Sequence, residues 1–198
     1  MFIAVAAGLL LTGSVLRVRQ VNAKVQETQQ ELAGEVFRFH VLANSDSEKD
    51  QALKMKVKEE VLSFMKRELP DAKSAEETKA WAKENLGKIE ELTETVVRNE
   101  GFGYTAHAEV AMCDFPDKTY GDVTFPAGRY EALRIEIGAG GGHNWWCVLY
   151  PNLCFLDAVH AVVPDEGKEE LKDVLTDEEY DLVTMGTDFK IRWFFLGD

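Results

Sequence analysis

Residues 36–62 read VFRFHVLANSDSEKDQALKMKVKEEVL. The spacing of apolar residues changes inside this stretch, and that change decides the fold. Val36–Leu42 alternates with a period of two: Phe37, Phe39 and Val41 point one way, Arg38 and His40 the other. Such alternation predicts a strand. Asn44, Ser45, Asp46 and Ser47 then make a turn running into a helix, with Ser45 or Ser47 supplying the capping oxygen. Beyond it Leu53, Val57, Val61, Phe64 and Met65 recur at helical spacing until Pro70 ends the run.

Further along, Ser74 and Glu77 form a capping box that opens a second helix. Its stripe is Ala82, Leu86, Ile89, Leu92 (or Thr93) and Val96, and Gly101 and Gly103 stop it. Strands are predicted over 104–113, 130–137 and 145–150, with a turn-rich hairpin or arm over 114–129. After a linker at 164–167 come two short helices, 168–175 and 176–183, and a last strand, 189–196. The order β-α-α-β-β-β predicts an α+β fold: an antiparallel or mixed sheet of about four to five strands, two long helices on one face, and a small helical and strand tail. The alternation gathers Arg38, His40, His107, Glu109, Arg134 and Glu136 on the other face. That face is expected to be wet, a ladder of ion pairs each worth only about 0.2–1 kcal/mol.

Residues 1–16 are apolar and uncharged, and Arg17 and Arg19 end them abruptly. A spanning helix needs roughly 20 residues, so the segment fits a signal peptide or short membrane anchor. Residues 17–34 are polar and Gln-rich and read as a tether between membrane and domain, either extended or helical. The domain proper covers 35–163, and 164–198 is an extension packing on it. The chain carries 22 basic and 35 acidic residues, net −13. That balance excludes nucleic acid or anionic lipid as the main partner. Contact with membrane is expected only through the N-terminal segment.

Residues 139–155, AGGGHNWWCVLYPNLCF, hold the densest chemistry. Cys147 with His143, His107 or His40 would make a thiol–imidazole pair, the core of a cysteine hydrolase. On a strand, however, His143 and Cys147 stand about 13 Å apart, and no hydrolase signature surrounds the cysteine. His143, Cys113, Cys147 and Cys154 have the atoms for zinc but no standard spacing, so no metal or other cofactor is expected. A turn at Pro151-Asn152 allows a Cys147–Cys154 disulfide; two buried reduced cysteines are the alternative, and both stay open. Trp145 and Trp146 alternate, so one faces the core while the other needs a cover: a partner, or the tail through Trp193 or Phe194.

The blocks FRFHVLANSDSEKDQALKMKVKEEVL and PDKTYGDVTFPAGRYEALRIEIGAGGGHNWWCVLYPNLCF, separated by two helices, closely resemble the stage II sporulation protein R family. The match runs from about Val36 to Val163. The resemblance implies an exported signalling protein of sporulation rather than an enzyme. It would pass from the forespore into the space between the forespore and mother-cell membranes, secreted or N-terminally anchored. There it would activate a membrane-embedded aspartic-type protease of the stage II sporulation protein GA type, which processes pro-sigma-E. Motif residues carried over as partner-contact candidates are Arg38, His40, Asn44, Asp46, His143, Asn144, Trp145 and Trp146. The rival functions are an exported cysteine hydrolase using Cys147 with His143 or His107, and a structural wall-associated domain.

Overall fold

The structure, a computed structural model, describes residues 2–69, 72–155 and 163–185, with the side chains of 2–14, Phe155 and Met185 excepted. Six helices and six strands follow in the order α1 (Phe2–Glu35), β1 (Phe37–Leu42), α2 (Glu48–Glu68), α3 (Ala75–Glu84), α4 (Leu86–Asn99), β2 (Ala106–Phe115), β3 (Lys118–Tyr120), β4 (Val123–Phe125), β5 (Gly128–Ile137), β6 (Asn144–Tyr150), α5 (Asp165–Val174) and α6 (Asp177–Met185) among the described residues. The main sheet is mixed, with strand order β2-β5-β1-β6. Its centre is the parallel pair β1 and β5, with Phe39 beside Leu133. The edges β6 and β2 are antiparallel to their neighbours. The hairpin expected within 114–129 is β3–β4.

The first predicted helix, α2, begins at one of its two expected caps, Ser47. Ser47 accepts the Asp50 amide, and Glu48 and Asp50 lie in the first turn while Lys66 and Arg67 lie in the last, each sign complementing the helix dipole. Pro70 lies outside the described residues. The second predicted helix is two, α3 and α4, broken at Asn85. The Asn85 side-chain amide donates to the Trp81 carbonyl at 2.9 Å. A side chain that competes with the backbone in this way, with Gly87 close behind, favours a break. The stripes still point inward: Leu53, Val57, Val61, Met65, Ala82, Ile89 and Val96 pack with Phe39, Val41, Leu133 and Ile135 on one sheet face.

The opposite face differs from its predicted wet surface. A second apolar cluster built from Val25, Leu32, Phe115, Val123, Phe125, Tyr130, Val148, Leu171, Leu182 and Val183 covers half of it. The covering parts are the second half of α1, the hairpin and α5–α6. Residues 17–34, read as a tether, are thus a docked helix. Val21, Val25, Thr28 and Leu32 follow at steps of four, three and four, a helical stripe, and the last three are buried. Lys24 of α1 pairs with Glu178 of α6 at 2.9 Å, and Lys168 of α5 pairs with Asp122 of the hairpin at 2.5 Å. Only the far half of the face keeps the ion-pair ladder: Arg134 bonds Glu109 at 2.8 Å and also meets Glu136. His107 turns instead to Glu90 of α4 at 3.2 Å. The predicted last strand, 189–196, lies outside the described residues, as do Trp193 and Phe194.

Among the described residues no helix is long and apolar enough to cross a membrane.

Candidate functional site

Two loops meet at one end of the sheet: residues 43–47, between β1 and α2, and 138–143, between β5 and β6. Their junction is a clasp of hydrogen bonds. The amides of Gly141 and Gly142 donate to the carbonyls of Asn44 and Ala43 at 3.2 and 2.9 Å. The Ala139 amide donates to Asn44 Oδ1 at 3.0 Å. The His143 amide donates to Asp46 Oδ1 at 2.6 Å, and His143 Nδ1 lies 2.5 Å from the same oxygen. Lys54 of α2 donates from Nζ to the His143 carbonyl at 2.9 Å and to Gln51 at 2.6 Å.

The glycine run serves this approach. A Cβ on Gly142 would stand 2.3 Å from the Ser45 carbonyl oxygen, and one on Gly138, at φ +60°, would stand 2.4 Å from Asn44 Oδ1. Neither position accepts a side chain without moving the loop.

Asp50 anchors the clasp from below. Nearly buried, it accepts Asn44 Nδ2 at 2.9 Å and Ser45 Oγ at 2.5 Å. Those two bonds, Ser45's foremost, hold its carboxyl below the usual carboxylate range. Asp46 is held low as well, chiefly by the His143 side chain. Burial pushes the Lys54 ammonium down, opposed by Asp46. An ionised carboxylate only accepts, so Asp46 assigns the Nδ1 proton to His143 and leaves Nε2 facing outward on a side chain 80% exposed. The clasp thus presents Asp46, His143 and Asn144 in a fixed arrangement at the surface.

The sequence-derived candidates divide. Asn44, Asp46, His143 and Asn144 come together here. Arg38 and His40 do not: both lie in the interior, 0% and 5% exposed, which corrects their expected role as contact residues. Arg38 donates from Nε to the Cys147 carbonyl at 3.0 Å and from Nη2 to Tyr120 at 3.3 Å. Its guanidinium sits 4.3, 4.9 and 5.3 Å from the ring centres of Phe115, Tyr130 and Phe125. His40 stacks on Trp146 at 3.8 Å. Burial drives its pKa down to about 4, with the Arg134 charge adding to the effect and Asn144 opposing it.

The tryptophans split across the sheet as their alternation requires. Trp145 makes an edge contact with Phe39 at 5.5 Å under Lys58 of α2. Trp146 packs on His40 and Phe115 on the other face. Both are half-buried, so each seals a rim of the core and keeps an outer edge in solvent. Asp50, Lys54 and Tyr120 were missed from the sequence. Asp50 had a signal, since it stands three residues after the Ser47 cap, the reciprocal position of a capping box.

The hydrolase constellation is not assembled. Cys147 is buried on the helix side of β6, while His143 lies in the exposed loop. His107 is on β2, three strand spacings or about 14 Å away. The zinc candidates are dispersed too, with Cys113 on the opposite face from Cys147. Cys147 and Cys154 are neighbouring thiols, both unbridged, and burial raises the Cys154 thiol well above its ordinary pKa.

Fold and clasp therefore define an α+β domain with a core on each sheet face and a hydrogen-bonded polar corner at one end. The model of the stage II sporulation protein R family matches residues 33–160, from the end of α1 to beyond β6. The chain is also 36% identical over 168 residues to stage II sporulation protein R of Bacillus subtilis (strain 168), covering 83% of this chain and 75% of that one. The chain belongs to the stage II sporulation protein R family, whose members are sporulation signalling proteins. No solved structure matches it.

Proposed function

We propose that the chain is an exported ligand that activates a membrane-embedded aspartic-type protease of the stage II sporulation protein GA type, and so starts pro-sigma-E processing in the mother cell. Family membership over the whole clasp-bearing domain carries this reading. Residues 1–16 would direct export into the space between the two membranes, as a cleaved signal or a short anchor. The surface proposed for the protease is the corner of Asn44, Asp46, His143 and Asn144, flanked by the outer edges of Trp145 and Trp146. A pre-organised corner loses little freedom on binding. Binding activates only if the corner prefers the protease's active state over its inactive one.

The test is co-expression of the chain, the protease and the pro-sigma substrate in a non-sporulating host. Processing should appear only when the exported chain is present. Exported, folded chain without processing overturns the reading, and is the result a structural wall-associated domain would give. His143→Ala should cut processing while leaving the fold intact.

A further inference from the structure

We propose that Cys147 and Cys154 form a disulfide in the exported protein, closing the turn after β6 onto the helix-side core. Cys147 is a buried core residue and Cys154 is half-buried against the same cluster. The two side chains neighbour each other within that cluster. Between them the chain reverses through Pro151 and Asn152, where the Leu153 amide donates to the Pro151 carbonyl at 2.7 Å. This short turn, Leu153–Phe155, lies against both β6 and α2. The pair is set apart from the third cysteine. Cys113 is on β2, in the other core, with three strand spacings and the sheet itself between.

The chemistry needs an oxidant, which is a reactive disulfide of the kind carried by extracytoplasmic thiol oxidoreductases. One cysteine thiolate attacks it and forms a mixed disulfide, expelling the oxidant's first thiolate. The second cysteine thiolate then attacks the mixed disulfide at the first cysteine's sulfur. The internal S–S bond forms and the oxidant's second thiolate leaves. The two cysteines lose two protons and two electrons, and the oxidant's disulfide becomes two thiols. Buried thiols react slowly, so the bond closes while the chain folds after export. In the reducing cytoplasm the pair stays open. The placement of the bond in the cell rests on the exported reading above; the pairing itself does not.

The full chain, unfolded, is refolded in a glutathione disulfide buffer, alkylated with iodoacetamide and mapped by mass without reduction. A bridge between Cys147 and Cys154, with Cys113 alkylated after unfolding, is the expected result. Alkylation of both Cys147 and Cys154, or a bridge from either to Cys113 or to a second copy, overturns the pairing. Reduction of the bridged protein should lower Tm by roughly 5–10 °C, the value for so short a closed loop in a chain of this size. The double variant Cys147→Ala, Cys154→Ala should show no such shift on reduction, and an equal shift there would also overturn it. A pair bridged in vitro but reduced in protein recovered from the sporulating cell's intermembrane space would overturn the cellular proposal. Bridging in both places without protease activation would sink the proposed function alone.

Discussion

The two faces of the sheet are closed by different physics. Toward α2–α4 the cover is apolar: Phe39, Val41, Leu53, Val57 and Ile135 have negligible exposure and need only fit. Such packing is non-directional and tolerates rearrangement. On the opposite face the equivalent depth holds an arginine and an imidazole. Arg38 meets a carbonyl, a phenol and three ring faces, and no carboxylate forms an ion pair with it among the described residues. Its Nη1 and both His40 ring nitrogens lack a hydrogen-bond partner there. A desolvated cation of this kind is held by dipoles and ring quadrupoles that must be in place. The second face therefore specifies its cover closely, whereas the first merely accommodates it.

The sharpest way to break that comparison is Arg38→Ala. It empties the aromatic cage and strips two acceptors of their donor, and should cost about 3–5 kcal/mol in urea unfolding. Arg38→Met, which refills the space but supplies no donor, should still lose most of that, because both acceptors stay unpaired. Recovery of full stability would mean that packing alone closes this face, as it does the other.

Leu32→Ala comes next, at about 2–4 kcal/mol by the same measurement, because Leu32 is fully buried on the inner side of α1. A loss below about 0.5 kcal/mol would restore the tether reading of residues 17–34.

The third prediction concerns pH. His40 titrates near 4 when folded and near 6.5 when unfolded. Between these values the unfolded chain binds the extra proton, so stability is fully present above pH 6.5 and is lost as pH falls toward 4. The loss should be on the order of 3 kcal/mol, and His40→Phe should flatten it in a stability series across that window. An unchanged slope in the variant would assign the acid loss elsewhere.

The smallest effect is expected on the open half of the same face. His107→Ala removes an exposed partner of Glu90 and should change stability by less than about 0.5 kcal/mol. A large loss would show that the open half is covered after all.

Much of the frame was legible in the residues. The change of period between Val36–Leu42 and Leu53–Met65 announced β1 and α2, and Ser47 and Ser74 marked helix starts that the structure keeps. The alternation of Trp145 and Trp146 placed them on opposite faces. Other features were not legible. Asn85 breaks a stripe whose spacing continues across it. Arg38 and His40 read as surface because their types usually are, and nothing local to β1 tells what will lie above it. The clasp partners Asp46 and His143 are 97 positions apart, so no window along the chain joins them.

The sequence by itself determined the four strands of the main sheet, the helix α2 and which of their residues share a face, because those follow from local periodicity, caps and glycine. Tertiary structure alone decided which face stays wet. The segments covering the face that carries Arg38 come from residues 17–34, from the 118–125 hairpin and from beyond residue 163, far apart along the chain. Burial is a property of what arrives from elsewhere. So a cation read as a contact residue became the centre of a core, and two unremarkable loops became the exposed corner.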